Sequence, residues 1–233
     1  YPYIVIGGGL AGASAVEGIR EQDKEGAILL ISAETHLPYD RPPLSKKLWF
    51  GKKKVEDIFL HDQKFYDSNG VAVASGIRIA SLNAQQKSVT AASGNRYRYG
   101  KLLLATGGAP RTLQIPGGNL DGICYYRTLD DYLRLRQESG EGKSAVVIGG
   151  GFIGSELAAA LTINKVSVTM IFPESWLASR VFPEALGKAI QERYRARGIT
   201  VLNGEKPVSF EKKSGRFVTR TENGKAVESD MVI

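Results

Sequence analysis

The chain of 233 residues is 42% hydrophobic and 24% charged, which is typical of a globular protein with one large domain or two ordinary ones. No stretch approaches the roughly 18 uncharged apolar residues that a membrane span needs. The single cysteine, Cys124, excludes an internal disulfide and a Cys-x-x-Cys redox pair. The net charge of +7 favours acidic partners such as nucleotides, nucleic acids or acidic proteins, although a merely solvated basic surface explains it equally well.

The first residues lead almost directly into a predicted strand. Neither the basic segment nor the small-residue cleavage site of a signal peptide is visible near Tyr1. We therefore expect a cytoplasmic protein, or a mitochondrial one if a targeting segment has been removed. No membrane association is expected.

The first half of the chain predicts a strand–helix–strand unit and then a run of short strands. Apolar residues predict a buried strand at Tyr3–Ile6, a glycine-rich turn with a following helix, and a second strand at Ala27–Ser32. A small antiparallel sheet is predicted from Val71–Ala74, Arg78–Leu82, Ser88–Ala91 and Arg96–Tyr99, and a buried strand from Lys101–Ala105.

The second half repeats the opening pattern. Residues 4–19, IVIGGGLAGASAVEGI, correspond to residues 146–161, VVIGGGFIGSELAAAL. A helix is predicted at Thr128–Arg136, and a strand at Ser167–Phe172 follows the second copy. Two distant copies of one βαβ pattern predict an α/β fold with two Rossmann-like three-layer dinucleotide-binding domains, residues 1–115 and 116–233.

The first glycine-rich turn, Gly7-x-Gly9-x-x-Gly12, lies between a predicted strand and a predicted helix. The first glycine permits the tight turn, the second lets a pyrophosphate approach the backbone, and the third permits close packing of the helix. The helix N-terminus then directs N–H groups at the phosphate. Glu34 ends the second strand, where a carboxylate accepts hydrogen bonds from ribose hydroxyls. This combination predicts a dinucleotide site.

The second turn, Gly149-x-Gly151-x-x-Gly154, has the same context and the acidic residue Glu174 after its second strand. A carboxylate at this position repels a 2′-phosphate and favours NADH over NADPH. Arg180, six residues further on, keeps NADPH open because a guanidinium can pair with that phosphate.

Two such turns, with Ala105-Thr106-Gly107 between them, resemble the pyridine nucleotide–disulfide oxidoreductase superfamily of flavoproteins. The segment LPYDRPPLSK, residues 37–46, is similar to a signature of bacterial ferredoxin and rubredoxin reductases and of apoptosis-inducing factor. The segments KLWF (residues 47–50) and IFPE (171–174) look closer to the latter. The resemblance implies FAD in the first domain and NAD, less favourably NADP, in the second.

The resemblance also implies binding residues for both cofactors. For FAD they are Gly7, Gly8, Gly9, Leu10, Ala11, Gly12, Glu34, Thr35, Arg41, Lys46, Ile79, Thr106, Gly107 and Arg127. For the nicotinamide nucleotide they are Gly149, Gly150, Gly151, Phe152, Ile153, Gly154, Glu174 and Arg180.

Lys46 and Glu156 are the residues expected to tune the chemistry at the flavin. A cation beside the flavin stabilises the negative charge of the reduced ring, and a carboxylate holds that cation in place. We expect the pair to meet across the domain interface, with Lys46 from the first domain. From spacing alone, Glu156 is a helix-stabilising acid and Lys46 a solvated lysine; the resemblance favours the functional pair.

The leading function is an FAD-dependent NAD(P)H oxidoreductase that passes electrons from NADH to an external acceptor, such as an acidic ferredoxin or rubredoxin. The alternative is an apoptosis-inducing-factor-like, redox-switched flavoprotein that acts mainly by interaction or by nucleic-acid binding. A homodimer is left open. His36 and His61 have no partners at metal-ligand spacing, so no metal site is expected. The resemblance implies that a C-terminal part of the fold follows Ile233 and is absent here.

Overall fold

The computed structural model describes all 233 residues, Tyr1–Ile233. The chain divides into two compact units. The first unit comprises Tyr1–Arg41 and Lys53–Ala109, and the second comprises Pro42–Lys52 and Pro110–Ile233. We call the segment Pro42–Lys52 the strap. By its contacts the strap belongs to the second unit, although it lies within residues 1–115. The functional domains at residues 1–115 and 116–233 stay predictions.

The first unit contains a parallel four-stranded sheet and an antiparallel three-stranded sheet. Its elements are β1 (Tyr3–Ile6), α1 (Leu10–Gln22), β2 (Ile28–Ile31), α2 (Gln63–Ser68), β3 (Val71–Ala74), β4 (Ile79–Asn83), β5 (Ser88–Ala91), β6 (Arg96–Arg98) and β7 (Lys101–Leu104). The parallel sheet has the order β3-β2-β1-β7, and the antiparallel sheet the order β4-β5-β6.

The alternation of side chains along β1 buries both faces of the parallel sheet at its centre, whereas the edge strand β7 is mostly exposed, contrary to the buried strand predicted at Lys101–Ala105. Val5 packs in a cluster with Val16 of α1 and Tyr66 of α2. Its neighbour Ile4 packs in another cluster with Val89 of β5. Successive strand residues point to opposite faces, so an apolar run buries itself only between two layers. The predicted three-layer architecture is confirmed.

The prediction for Val71–Ala74 was wrong. This segment does not belong to the antiparallel sheet: β3 pairs in parallel with β2, with Ile28 opposite Val71. The helix α2 provides the crossover that parallel pairing requires, and Gly70, with φ +59°, turns the chain from that helix into β3. The sequence pattern does not predict the short α2, and without this helix Val71–Ala74 looks like a strand of the antiparallel sheet that follows it.

The second unit repeats this plan. A 3-10 helix, Pro42–Ser45, lies in the strap. The elements that follow are α3 (Leu129–Glu138), β8 (Ser144–Ile148), α4 (Phe152–Ile163), β9 (Ser167–Phe172), α5 (Glu184–Arg195), β10 (Thr200–Asn203), β11 (Pro207–Lys213), β12 (Arg216–Thr221), β13 (Ala226–Ser229) and β14 (Met231–Val232). The parallel sheet has the order β10-β9-β8-β14, and β11-β12-β13 is antiparallel.

The core of the second unit also lies on both faces of its parallel sheet. Val146 of β8 packs with Phe210 and Phe217 of the antiparallel sheet. Val147, next in sequence, lies on the α4 side, near Gly154. The strands β1 and β8 belong to separate sheets, as the two copies of the glycine motif predict. None of the helices has both the length and the apolar character needed to cross a membrane.

Candidate functional site

The first glycine-rich turn has the geometry that a pyrophosphate requires. Gly7 has φ +128°, and a Cβ added there would lie well under 3.0 Å from the Ala105 carbonyl oxygen. A Cβ added at Gly12 would equally overlap the Gly7 carbonyl oxygen. At Gly9, in contrast, an added Cβ would meet nothing within 4 Å. The outer glycines are therefore needed by the protein itself, whereas Gly9 keeps an outside approach to the backbone open.

The N-terminus of α1 leaves its donors available to a ligand. Gly9 is the N-cap residue, no side chain caps the helix, and the first turn has no acidic residue. Helix α3 provides the contrast within the same chain, because Thr128 caps it and Asp130 and Asp131 lie in its first turn. Uncapped N–H groups together with the positive end of the helix dipole favour an anion. The residues present therefore fit the FAD pyrophosphate.

Glu34 follows β2, and two side chains of the first unit fix its carboxylate. Arg41 Nη2 donates to Glu34 Oε1 over 2.7 Å, and the Tyr39 hydroxyl donates to Oε2. The Glu34 carbonyl also accepts from Gly76 N at 2.9 Å. Each carboxylate oxygen can accept a second hydrogen bond, so ribose hydroxyls can still bind. Arg41, predicted to lie along the flavin, contacts this carboxylate.

A buried serine, Ser32, connects the glycine turn to Glu34 and was not predicted from the sequence. Its hydroxyl accepts a hydrogen bond from Glu34 N at 3.2 Å. A Cβ added at Gly8 would overlap the same hydroxyl, so Gly8 is needed for the turn to approach Ser32. The signal in the sequence is position alone: Ser32 is the small polar residue directly after the apolar strand.

The other residues predicted to bind FAD are distributed over both units. Thr106 and Gly107, exposed after β7, adjoin Ala105, whose amide donates to Ile6 O at 2.8 Å. Ile79 is the first residue of β4. Arg127 lies in the second unit, where its amide donates to Asp131 Oδ2 at 2.9 Å. The first unit thus brings the glycine turn, Glu34 and residues 105–107 together, whereas Lys46 and Arg127 belong to the second.

The second glycine-rich turn has the same construction. Gly149 has φ +115°, a Cβ on Gly154 would overlap the Gly149 carbonyl oxygen, and a Cβ on Gly151 would meet nothing within 4 Å. Helix α4 begins after Gly151 with neither a side-chain cap nor an acidic residue in its first turn. This geometry fits a second pyrophosphate and excludes Glu156 as a first-turn acid that stabilises the helix.

Two large apolar side chains beside the second turn are open to solvent. Phe152 and Ile153 are about half exposed, and the Phe152 ring meets Phe182 edge-on with centroids 6.0 Å apart. A cavity of about 210 Å³ in this unit is lined by Ile153, Gly154 and Tyr126, among others. Exposed apolar groups beside a phosphate-binding turn suit the flat rings of a nucleotide. The sequence did not single out Phe182.

Glu174 and Arg180, the two residues that bear on nucleotide choice, are neighbours in space. Arg180 Nη2 lies 3.9 Å from Glu174 Oε1, and the side chains are 86% and 32% exposed, respectively. The Glu174 backbone is fixed because its carbonyl accepts from Gly204 N at 3.1 Å. An arginine this exposed can leave the carboxylate, so the ion pair is compatible with either nucleotide.

Lys46 and Glu156 form an ion pair within the second unit. Lys46 Nζ lies 3.0 Å from Glu156 Oε1, and Ser45 Oγ donates to Glu156 Oε2 over 2.6 Å. The predicted meeting of the two side chains is observed, but Lys46 does not come from the first unit as expected. The strap carries it onto α4, so both charges belong to one compact body.

Hydrogen bonds attach the strap to the rest of the second unit. The Tyr126 hydroxyl donates to Leu44 O and accepts from Trp49 Nε1 at 3.3 Å. Asn164 Nδ2 donates to Trp49 O, also at 3.3 Å. Burial raises the pKa of Tyr126, which keeps its hydroxyl protonated and able to donate. The strap residue Lys46 is therefore set in place by contacts distant in sequence.

Comparison with known proteins assigns these features to a family. A family profile described as pyridine nucleotide-disulphide oxidoreductase matches residues 1–233. The chain belongs to this family. Its members bind FAD and use pyridine nucleotides as FAD- and NAD(P)H-dependent oxidoreductases.

Individual relatives match nearly the whole chain but extend beyond it. The chain is 35% identical to apoptosis-inducing factor 1 of Dictyostelium discoideum over 254 aligned positions, covering 100% of the chain and 48% of that protein. It is 33% identical to rubredoxin-NAD(+) reductase of Pseudomonas putida, covering 99% of the chain and 60% of that protein. The reductase in a putidaredoxin reductase–putidaredoxin complex superposes with a TM-score of 0.91 at 29% identity, over 99% of this chain and 57% of that one. The chain thus spans about half the length of the relatives that it matches.

The family name refers to disulphides, yet the cysteine of this chain is not placed for thiol chemistry. Cys124 is free and buried, and burial raises the pKa of its thiol. A buried thiol with a raised pKa carries little of the reactive thiolate.

His61, whose ring contacts Glu17 and stacks on Phe65, has a local packing role in the first unit.

Proposed function

We propose that the protein takes hydride from NADH onto FAD and passes the electrons to an external acceptor such as a ferredoxin or a rubredoxin. The observation that carries the proposal is the Lys46–Glu156 pair on the helix that starts at the second glycine turn. The bound flavin supplies the hydride and single-electron chemistry, and the protein supplies binding, orientation and electrostatics.

The two glycine turns are proposed to bind the pyrophosphates of FAD and NADH. The turn Gly7–Gly12 would hold the FAD pyrophosphate on the N–H groups of α1, which no side chain caps, and Glu34 would accept hydrogen bonds from the adenosine ribose. The turn Gly149–Gly154 would hold the pyrophosphate of NADH at the N-terminus of α4, and Glu174 would bind its ribose. Both turns remain open at the middle glycine, which supports these roles.

The proposed role of the Lys46 ammonium is to stabilise the negative charge of the reduced flavin. A reduced flavin carries more negative charge than an oxidised one, so a cation fixed beside it favours reduction. Lys46 is about half exposed and would move freely if it had no partner. The Glu156 carboxylate limits this motion and so keeps the cation at one place.

The acceptor is proposed from charge and from the relatives. The net charge of +7 suits an acidic iron–sulfur protein. One relative is named for its rubredoxin substrate, and the structure of another was determined in complex with putidaredoxin. Quinones and oxygen are the competing acceptors.

The test uses the full-length protein loaded with FAD. Anaerobic mixing with NADH should bleach the flavin absorbance, and adding oxidised ferredoxin or rubredoxin should restore it within turnover time. Lys46→Met should slow the bleaching. Its matched control is Lys47→Met, the next lysine, which is exposed and forms no ion pair. Flavin that stays oxidised under excess NADH would reject the proposal, and re-oxidation only by quinone or oxygen would reject the protein acceptor.

The second candidate function is the redox-switched interaction protein, supported by the likeness to apoptosis-inducing factor 1 and by the basic charge. It predicts slow turnover with every acceptor, a change of oligomeric state when NADH binds, and nucleic-acid binding that weakens steeply with salt. Sedimentation with and without NADH, beside the turnover assay, separates the two functions.

A further inference from the structure

The Lys46–Glu156 pair has a third member. Glu156 uses Oε1 for the lysine and Oε2 for the hydroxyl of Ser45, which donates to it over 2.6 Å. Ser45 is only 3% exposed, whereas the Lys46 and Glu156 side chains are 49% and 25% exposed. The most deeply buried contact of the Glu156 carboxylate is therefore with the serine.

An exposed ion pair is weakly ordered when it stands alone. Water competes for both charges, and holding a long lysine side chain in one geometry costs conformational entropy. A hydrogen bond to an ionised carboxylate is stronger than a neutral one, and here its donor is buried. With Oε2 held by a buried donor, the carboxylate cannot rotate freely, and Oε1 keeps facing the lysine.

We propose that Ser45 is a positioning residue that holds the Glu156 carboxylate so that Lys46 keeps its place. This deepens the proposed function, because it identifies what orients the charged pair. The observed side-chain hydrogen bond of Ser45 is the one to Glu156. Ser45 acts through Glu156, whose fixed carboxylate holds the ammonium of Lys46 in place.

The first test needs no cofactor and uses the full-length protein. Lysine side chains are acetylated with a limiting amount of acetic anhydride, and the modification rate of each lysine is measured by mass spectrometry of peptides. An ammonium held by a carboxylate must leave it before the amine reacts. Ser45→Ala should raise the rate at Lys46 several-fold, towards the rate in Glu156→Gln, while Lys47 serves as the internal reference.

A matched control separates positioning from general loosening. Ser229 is also a buried serine of the second unit, 1% exposed, and its hydroxyl donates to a backbone carbonyl, Met231 O, at 2.8 Å. Ser229→Ala should leave the Lys46 rate unchanged. Should Ser45→Ala fold poorly, Ser45→Cys keeps nearly the same size with a weaker donor and should give an intermediate rate.

The second test is coupling. If Ser45 acts through Glu156 alone, adding Ser45→Ala to Glu156→Gln should not change the labelling further. A multiplicative effect in the double variant, or an unchanged Lys46 rate in Ser45→Ala, would overturn the proposal.

Flavin reduction then distinguishes this inference from the proposed function. In the FAD-loaded protein, Ser45→Ala should lower the limiting rate of reduction by NADH by about tenfold, the effect of one lost charged hydrogen bond. The NADH concentration at half-saturation should stay unchanged, because Ser45→Ala leaves the proposed nucleotide-binding residues Gly149–Gly154 and Glu174 intact. Labelling that rises without any loss of rate would support the positioning role and reject the redox role of the pair.

Discussion

Lys46 Nζ lies 3.0 Å from Glu156 Oε1, on a strap that the Tyr126 hydroxyl fastens to the same compact unit. The pair is therefore formed within one body. Its two members should act together in any reaction that depends on the cation, and this leads to the first prediction.

Lys46→Ala and Glu156→Ala should each slow NADH-driven flavin reduction roughly ten- to a hundredfold, because either change removes or releases the cation. The double variant should lose much less than the product of the two effects. Stopped-flow flavin absorbance measures the rates, with FAD occupancy checked for each protein. Stability should fall by no more than about 1 kcal/mol, because the pair is partly exposed. Lys47→Ala is the control, and independent losses would mean that the residues do not act as a pair.

The second prediction concerns nucleotide choice. Glu174→Ala should weaken NADH binding roughly tenfold while affecting NADPH less, because the ribose hydroxyls lose a charged acceptor. Arg180→Ala should have the opposite effect and weaken the binding of NADPH more than that of NADH. Titration of the FAD-loaded protein with both nucleotides measures this. Glu184→Ala, which removes an acid paired with Lys188 elsewhere on the same unit, is the control. An unchanged NADH/NADPH ratio in Glu174→Ala would remove the ribose role.

The third prediction uses three glycines of the first glycine motif and its helix. Gly12→Ala should destabilise the protein by about 1–3 kcal/mol or more, since its Cβ would overlap the Gly7 carbonyl. Gly9→Ala meets open space and an extended backbone, so it should fold within roughly 1 kcal/mol of wild type but bind FAD weakly. Gly18→Ala, exposed inside α1, should gain roughly 0.5–1 kcal/mol.

Urea unfolding of the apoprotein and FAD titration measure these three glycine variants side by side. The decisive comparison is Gly9→Ala with Gly18→Ala, because both leave the packing intact and differ only in whether the phosphate site is touched. Normal FAD affinity in Gly9→Ala would show that the open space at Gly9 is not used by the cofactor.

The fourth prediction concerns alkaline stability. Tyr66 is fully buried, no protein group accepts or donates at its hydroxyl, and burial raises its pKa to about 12. The unfolded chain ionises this tyrosine near pH 10, whereas the folded chain resists ionisation. Its contribution to stability is fully present below pH 10 and is lost as the pH rises towards 12. Tyr66→Phe should remove this loss and should cost little stability at pH 7, because no hydrogen bond is broken.

Unfolding free energies at pH 7 and at several values between 10 and 12 check the fourth prediction. Tyr3→Phe is a comparison of the opposite kind, because the Tyr3 hydroxyl donates to Asp23 at 2.9 Å and its loss should destabilise the protein at pH 7. Equal alkaline sensitivity in wild type and Tyr66→Phe would show that other groups control it.

The sequence by itself determined the features that depend on neighbouring residues. Both glycine turns, their flanking strands and helices, and the capped helix α3 follow from local spacing, because φ freedom, caps and strand alternation act within a few residues. The Lys46–Glu156 pair was also predicted, but through the family resemblance and with Lys46 expected from the first domain, whereas its contacts place it in the second compact unit.

Only the tertiary structure decided the features that bring distant residues together. It put β3 into the parallel sheet, buried Ser32 beneath the first turn, and fastened the strap through Tyr126 to the second unit. It also placed Ser45 against Glu156, a contact between residues too far apart in the chain to be predicted from sequence spacing. Each of these depends on which surfaces become buried together when the chain collapses, and burial is a property of the packed layers rather than of any short stretch of sequence.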